Sequence, residues 1–120
     1  MVTDIETVKR IASDYAKDVG RLYPLEKTVL FGSHVKGTAT PSSDIDICFF
    51  FKNYGGKGRY NLAVNLLLMR KKYKEYYIEP HLFETSDIDT DNPFVNNVLQ
   101  TGIDLNISSR YDYTKNLFAN

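Results

Sequence analysis

At 120 residues the chain has the length of one domain and is long enough to bury a core without staples. Its 15 Lys and Arg balance 15 Asp and Glu, whereas a domain that wraps nucleic acid carries a basic excess, so no direct nucleic-acid partner is expected. The single Cys48 excludes an internal disulfide, and with neither a spanning apolar stretch nor a signal peptide the expectation is a cytoplasmic protein with no membrane contact.

Taken in order, Thr3 to about Leu22 reads as an amphipathic helix, with Ile5, Val8, Ile11, Ala12, Tyr15, Val19 and Leu22 on one face. Thr3 and Glu6 have the spacing of a capping box, and Gly20 lies near the end. Pro24 stops that pattern, and Lys27–Phe31 reads as a strand. Gly32 to Ser43 is rich in Gly, Ser, Thr and Pro, with room for a short helix from Ser33. Asp44 to Phe51 alternates and then becomes continuously apolar, as a strand does that starts in solvent and runs into a core. Cys48 falls in that run and reads as a buried thiol.

The Gly55–Gly58 stretch breaks the chain before a second helical pattern from Tyr60 to Tyr73, whose broad apolar face includes Ala63, Val64, Leu66, Leu67 and Met69. Arg70, Lys71, Lys72 and Lys74 at its end read as a solvated cationic terminus favoured by the helix dipole. Tyr76 to Phe83 is a third strand candidate. Pro93 suits a first helical turn capped by Asp91 or Asn92, Gly102 ends that helix, and Ile103–Ile107 alternates as an edge strand. These elements describe an α/β (α+β) chain with a small mixed sheet and helices packed on it. The expected organisation is one domain over 1–120, with its core at about 25–107 and a tail over 108–120.

Two features carry chemistry. Asp44 and Asp46 share a parity on a strand, so both point to one face, roughly 7 Å apart along the backbone. Carboxylates that close repel unless a cation joins them, and magnesium takes carboxylate oxygens together with waters and phosphates. Gly32-Ser33 follows a strand and opens a helix, so its free N–H groups form an anion site that the Ser33 hydroxyl extends. An anion site beside a cation site suits a nucleoside triphosphate with its metal. Taken separately, the S-S-D-I-D run also fits a plain turn, and Gly-Ser after a strand also fits ordinary turn chemistry.

Gly-Ser, ten residues and then D-x-D closely resembles the signature of the DNA polymerase β superfamily. Within it, FGSHVKGTATPSSDIDI resembles the minimal nucleotidyltransferases, the MNT group that includes MntA-type antitoxins of HEPN/MNT toxin–antitoxin pairs. IEPHLF at Ile78–Phe83 and the following DNPFVNNVLQTGIDL are similar to the distal part of that family. The resemblance implies a nucleotidyltransferase fold and assigns Gly32 and Ser33 to the triphosphate of ATP. It assigns Asp44 and Asp46 to two magnesium ions and points to Glu79 as the third carboxylate, a metal ligand that can also take the acceptor's proton. Lys36 stands where many relatives have arginine, and meets phosphate as a point charge instead of a fork. His34 borders phosphate or is a surface imidazole, and His81 borders the site or is a mere strand histidine.

The function expected from the resemblance is a magnesium-dependent protein adenylyltransferase, an antitoxin that moves AMP from ATP to a tyrosine of a HEPN-domain toxin. Tail aromatics Tyr111, Tyr113 and Phe118 either contact such a partner in a homo- or hetero-oligomer or pack as a terminal segment. The alternatives are transfer to a small, aminoglycoside-like molecule with a partner subunit completing the cleft, and a catalytically silent toxin-binding module.

Overall fold

A computed structural model of the chain describes residues 4–52 and 58–109. Among the described residues four helices, α1 (Ile5–Leu22), α2 (Ser33–Lys36), α3 (Gly58–Met69) and α4 (Pro93–Thr101), surround four strands, β1 (Leu25–Phe31), β2 (Ile45–Phe51), β3 (Ile78–Glu84) and β4 (Ile103–Asp104). Short 3₁₀ segments follow α3 at Arg70–Tyr73 and β3 at Thr85–Asp89. The strands form one mixed sheet in the order β3-β2-β1-β4, antiparallel on both sides of β1 and parallel between β2 and β3. The parallel pair requires a crossover, and α3 supplies it.

β2 is apolar on both faces because both faces are covered. Ile45, Ile47, Phe49 and Phe51 pack with Val8, Ile11, Tyr15 and Val19 of α1 and with Leu62 and Leu66 of α3. Cys48 and Phe50 pack on the other side with Val29, Val95 and Val98, beneath α4. Burial pushes the Cys48 thiol up to about 12, so it behaves as a core side chain. Because α1 supplies a large part of the first cluster, the core reaches beyond the 25–107 span.

The two helices on that face are tied through Tyr15, whose hydroxyl donates to the Leu66 carbonyl at 2.5 Å. Its ring meets Phe49 and Tyr73 edge-on at 5.8 and 5.7 Å. The Tyr73 hydroxyl in turn donates to Asp18 at 2.7 Å.

Several local expectations change. The N-cap of α1 is Asp4, which accepts from the Thr7 N–H at 2.8 Å, and Thr3 lies outside the described residues. The helix runs through Gly20 and stops at Leu22, where the Tyr23 N–H closes on the Val19 carbonyl. α3 ends at Met69 and tightens into the 3₁₀ segment, and it buries Leu62 and Leu66 while Leu67 is 46% exposed, so its apolar face is narrower than the spacing implies. Asn92 caps α4 by accepting from the N–H groups of Phe94 and Val95.

The edge strand expected over Ile103–Ile107 shortens to two residues, because Asn106 turns to φ 58° while its N–H is held by Asp104 Oδ1. Beyond it the chain stays on β1 irregularly, with Leu105 donating to Thr28 and Ser109 to Leu25. The Ser109 hydroxyl accepts from the Leu25 N–H and faces the carbonyls of Gly20 and Tyr23. Of the 108–120 tail, only Ser108 and Ser109 are described, and Tyr111, Tyr113 and Phe118 lie outside the described residues. On the opposite edge, Pro80 sits inside β3, paired in register with Ile47. No helix among the described residues is long and apolar enough to cross a membrane.

Tyr15→Phe is expected to cost about 1 kcal/mol by removing a buried donor. A thermal melt should show a Tm lower by about 4 °C or more.

Candidate active site

The β2 residues that face α4 are Phe50 and Cys48 under the helix, then Asp46 and, at the open end before the strand, Asp44. Register fixes their neighbours: Asp46 is opposite Phe31 of β1 and Glu79 of β3, and Cys48 is opposite His81. Asp44 and Glu79 are exposed, while Asp46 and His81 are half-buried with side chains 21% and 28% accessible.

β1 ends at Phe31, and the next residue, Gly32, takes φ +89°, a conformation that L side chains rarely adopt. A Cβ there would also run into Oδ2 of Asp46. The glycine therefore serves twice, turning the chain and letting the Asp46 carboxylate lie against bare backbone. The Gly32 carbonyl accepts from Val35 and Lys36, and the first amides of α2, on Ser33 and His34, have no preceding turn to bond. Gly37 ends this short helix at φ +80°.

The loop back to β2 is held by its own hydroxyls. Ser43 Oγ accepts from the Thr40 N–H at 2.7 Å, and the Ser43 N–H returns to the Thr40 carbonyl. His34 Nε2 lies 3.4 Å from the Ser43 carbonyl, so this imidazole is half-buried and tethers the residue before Asp44. Lys36 is exposed at the far end of α2 and makes no ion pair among the described residues.

The Glu79 carboxyl is raised above its usual range, first by a hydrogen bond with Asp44, then by partial burial and by the charges of Asp46 and Asp44, with His81 acting in the opposite direction. His81 Nε2 lies 3.2 Å from Asp46 Oδ1. The imidazole is gripped by aromatic rings, Phe31 edge-on at 5.0 Å and Phe94 at 6.0 Å, and Phe94 stacks on Phe83. One ligand atom each from Asp46, Glu79 and His81 falls within 4.8 Å of the others. Carboxylates in this proximity fit a hard divalent cation, because a cation offsets the repulsion between them.

The structure places Gly32, Ser33, Asp44, Asp46 and Glu79 at one end of the sheet, with Asp46 against Gly32 and Asp44 hydrogen-bonded to Glu79. His81 is closer to the centre than a mere strand histidine, and its parity with Glu79 is the signal for it. Phe94 carries no such signal, since only the packing of α4 brings it to the imidazole.

Beside the carboxylates opens a groove of about 680 Å³, with Asp44 and Glu79 on one side and Leu67, Lys71, Lys74 and Tyr77 among its other walls. The cationic end of α3 faces this groove as well as bulk water. Arg70, also on the groove, donates to the carbonyls of Leu67 and Ile78 at 3.1 and 3.2 Å and so closes the helix end onto β3.

The sequence pattern of a family described as "Nucleotidyltransferase domain" matches residues 12–100. Among solved structures, a toxin-antitoxin crystallised with AMP-PNP shares 21% identity over 92% of this chain and 78% of its own, with a TM-score of 0.51. A Sulfolobus solfataricus protein assigned as a nucleotidyltransferase shares 21% identity over 74% of this chain and 81% of its own, with a TM-score of 0.48. No curated protein matches the chain.

Two outcomes follow from the geometry. Gly32→Ala should lower the Tm and weaken divalent-cation stabilisation of the fold, since its methyl displaces Asp46 and its φ is strained. In the cation-free protein, the raised Glu79 favours the folded state below the ordinary carboxylate range, and that contribution is lost as pH rises through the raised value. Glu79→Gln should therefore be the more stable protein at neutral pH, by less than about 1 kcal/mol for such exposed groups. Urea melts in chelator across acid to neutral pH should show the advantage vanish toward acid pH.

Proposed function

Because the chain belongs to the nucleotidyltransferase domain family, we propose that it is a magnesium-dependent protein adenylyltransferase that moves AMP from ATP onto a tyrosine of a HEPN-domain toxin, acting as its antitoxin. The observation that carries this reading is the Asp46 carboxylate set against the Gly32 turn, opposite Glu79, which is itself hydrogen-bonded to Asp44. The fold shared with a structure solved as a toxin-antitoxin with AMP-PNP supports a toxin partner and an adenine nucleotide, the HEPN class of that toxin being part of the proposal.

In this reading the turn at Gly32 and Ser33 receives the triphosphate, with the Ser33 hydroxyl and the first amides of α2 as donors and Lys36 as a neighbouring point charge. Asp44, Asp46 and Glu79 would hold magnesium, which would supply neutralisation of phosphate charge and a lowered pKa for the attacking hydroxyl. The tyrosine oxygen forms a bond to the α-phosphorus while the bond from that phosphorus to the bridging oxygen of the β-phosphate breaks. Pyrophosphate leaves, and Glu79 receives the phenolic proton. The open groove beside Glu79 leaves room for an acceptor that brings its own surface.

Incubation with a HEPN-domain toxin, ATP and magnesium should add AMP to that toxin, read by intact mass. Asp44→Ala with Asp46→Ala should slow the addition on the order of 10³-fold or more, since the charge stabilisation lost is several kcal/mol. An inhibited but unmodified partner would overturn the reading in favour of a binding module, and preferential modification of a small amine or alcohol would overturn the protein acceptor.

A further inference from the structure

We propose that His81 is a direct metal ligand, so that the site holds at least one divalent ion through Asp46, Glu79 and the His81 Nε2, and thereby accepts manganese and cobalt with a nitrogen donor that magnesium does not favour. The inference rests on the metal dependence contained in the nucleotidyltransferase reading and adds a residue to it.

Three observations meet at this imidazole. His81 Nε2 is 3.2 Å from Asp46 Oδ1, and the three donor atoms lie within 4.8 Å of each other. An octahedral ion with bonds of about 2.1 Å sets adjacent ligands about 3 Å apart and opposite ones about 4.2 Å apart, so the spacing suits a shared ion with little movement. The ring is also held in place, since Phe31 meets it edge-on at 5.0 Å and Phe94 covers it at 6.0 Å. Neither ring offers a hydrogen bond that would draw the Nε2 side away from the carboxylates.

Strand register provides the third. Asp46 and Glu79 are cross-strand partners and His81 is two residues beyond Glu79 on the same face, so the donors stand on paired backbones instead of a loop. As the Nδ1–H tautomer, His81 presents the Nε2 lone pair to the ion. Imidazole is a borderline donor that suits first-row transition ions, whereas magnesium prefers oxygen and keeps its waters. The histidine therefore tilts ion choice without excluding magnesium.

The test needs no nucleotide and no acceptor. Manganese bound to the full chain should show nitrogen-14 coupling from a directly bound imidazole in pulsed electron paramagnetic resonance, and His81→Gln should lose that coupling. Cobalt affinity of His81→Gln, measured by titration, should fall about tenfold or more while magnesium affinity changes less than about threefold. Manganese bound to the unaltered protein without nitrogen coupling overturns the assignment, whatever the variant does. The reading of the reaction stands apart from it: transfer in the absence of nitrogen coupling sinks only the His81 ligand, and coupling in the absence of transfer sinks only the reaction.

Discussion

The register of β2 is the constraint on which the rest depends. Among the described residues this strand is the only one flanked along its length on both sides, by β1 antiparallel and by β3 parallel, and its side chains alternate between two covered faces. A slip of one residue would move Ile45, Ile47, Phe49 and Phe51 out of the larger cluster and drive Asp46 into it. Burying a carboxylate there is far more costly than any turn or cap can offset, so the hydrophobic pattern locks the register. The same lock sets Asp46 against Glu79 and Phe31.

A site of this kind works against the fold that holds it. Three carboxylates gather where the chain could have had neutral residues, and the lifted Glu79 is the local sign of that conflict. The opposing stability comes from elsewhere, from two aromatic-rich clusters and from Tyr15, which ties α1 to α3 on one face of the sheet. The site is placed at the end of the strands, where Asp44 and Glu79 reach water and their repulsion is screened.

Much of this was readable from the residues alone. The period of α1, the apolar run of β2 and the Pro93 start of α4 each depend on neighbours in sequence, and each was found within a few residues. The Gly-Ser turn and the aspartate pair were equally legible, because local spacing defines them. What escaped depends on fine local choices or on distant packing. Asp4 displaced Thr3 as the cap through a choice between adjacent oxygens, and Asn106 broke β4 by a positive φ that alternation does not encode. Leu67 had the period of a core residue, but the groove leaves its side chain uncovered. The contact of His81 with Asp46 joins residues on separate strands, and only the register says that they meet.

Pro80, between Glu79 and His81, has an effect on how another protein can approach. β3 is an edge strand, and an edge invites a further strand to pair with it. Proline has no N–H to offer, and its ladder with β2 is intact through register, so the missing donor falls on the outward side. A visiting chain therefore finds the hydrogen-bond ladder broken beside the carboxylates. Recognition at this edge has to be made by side chains and shape, and a partner presents a folded surface there instead of lending a strand.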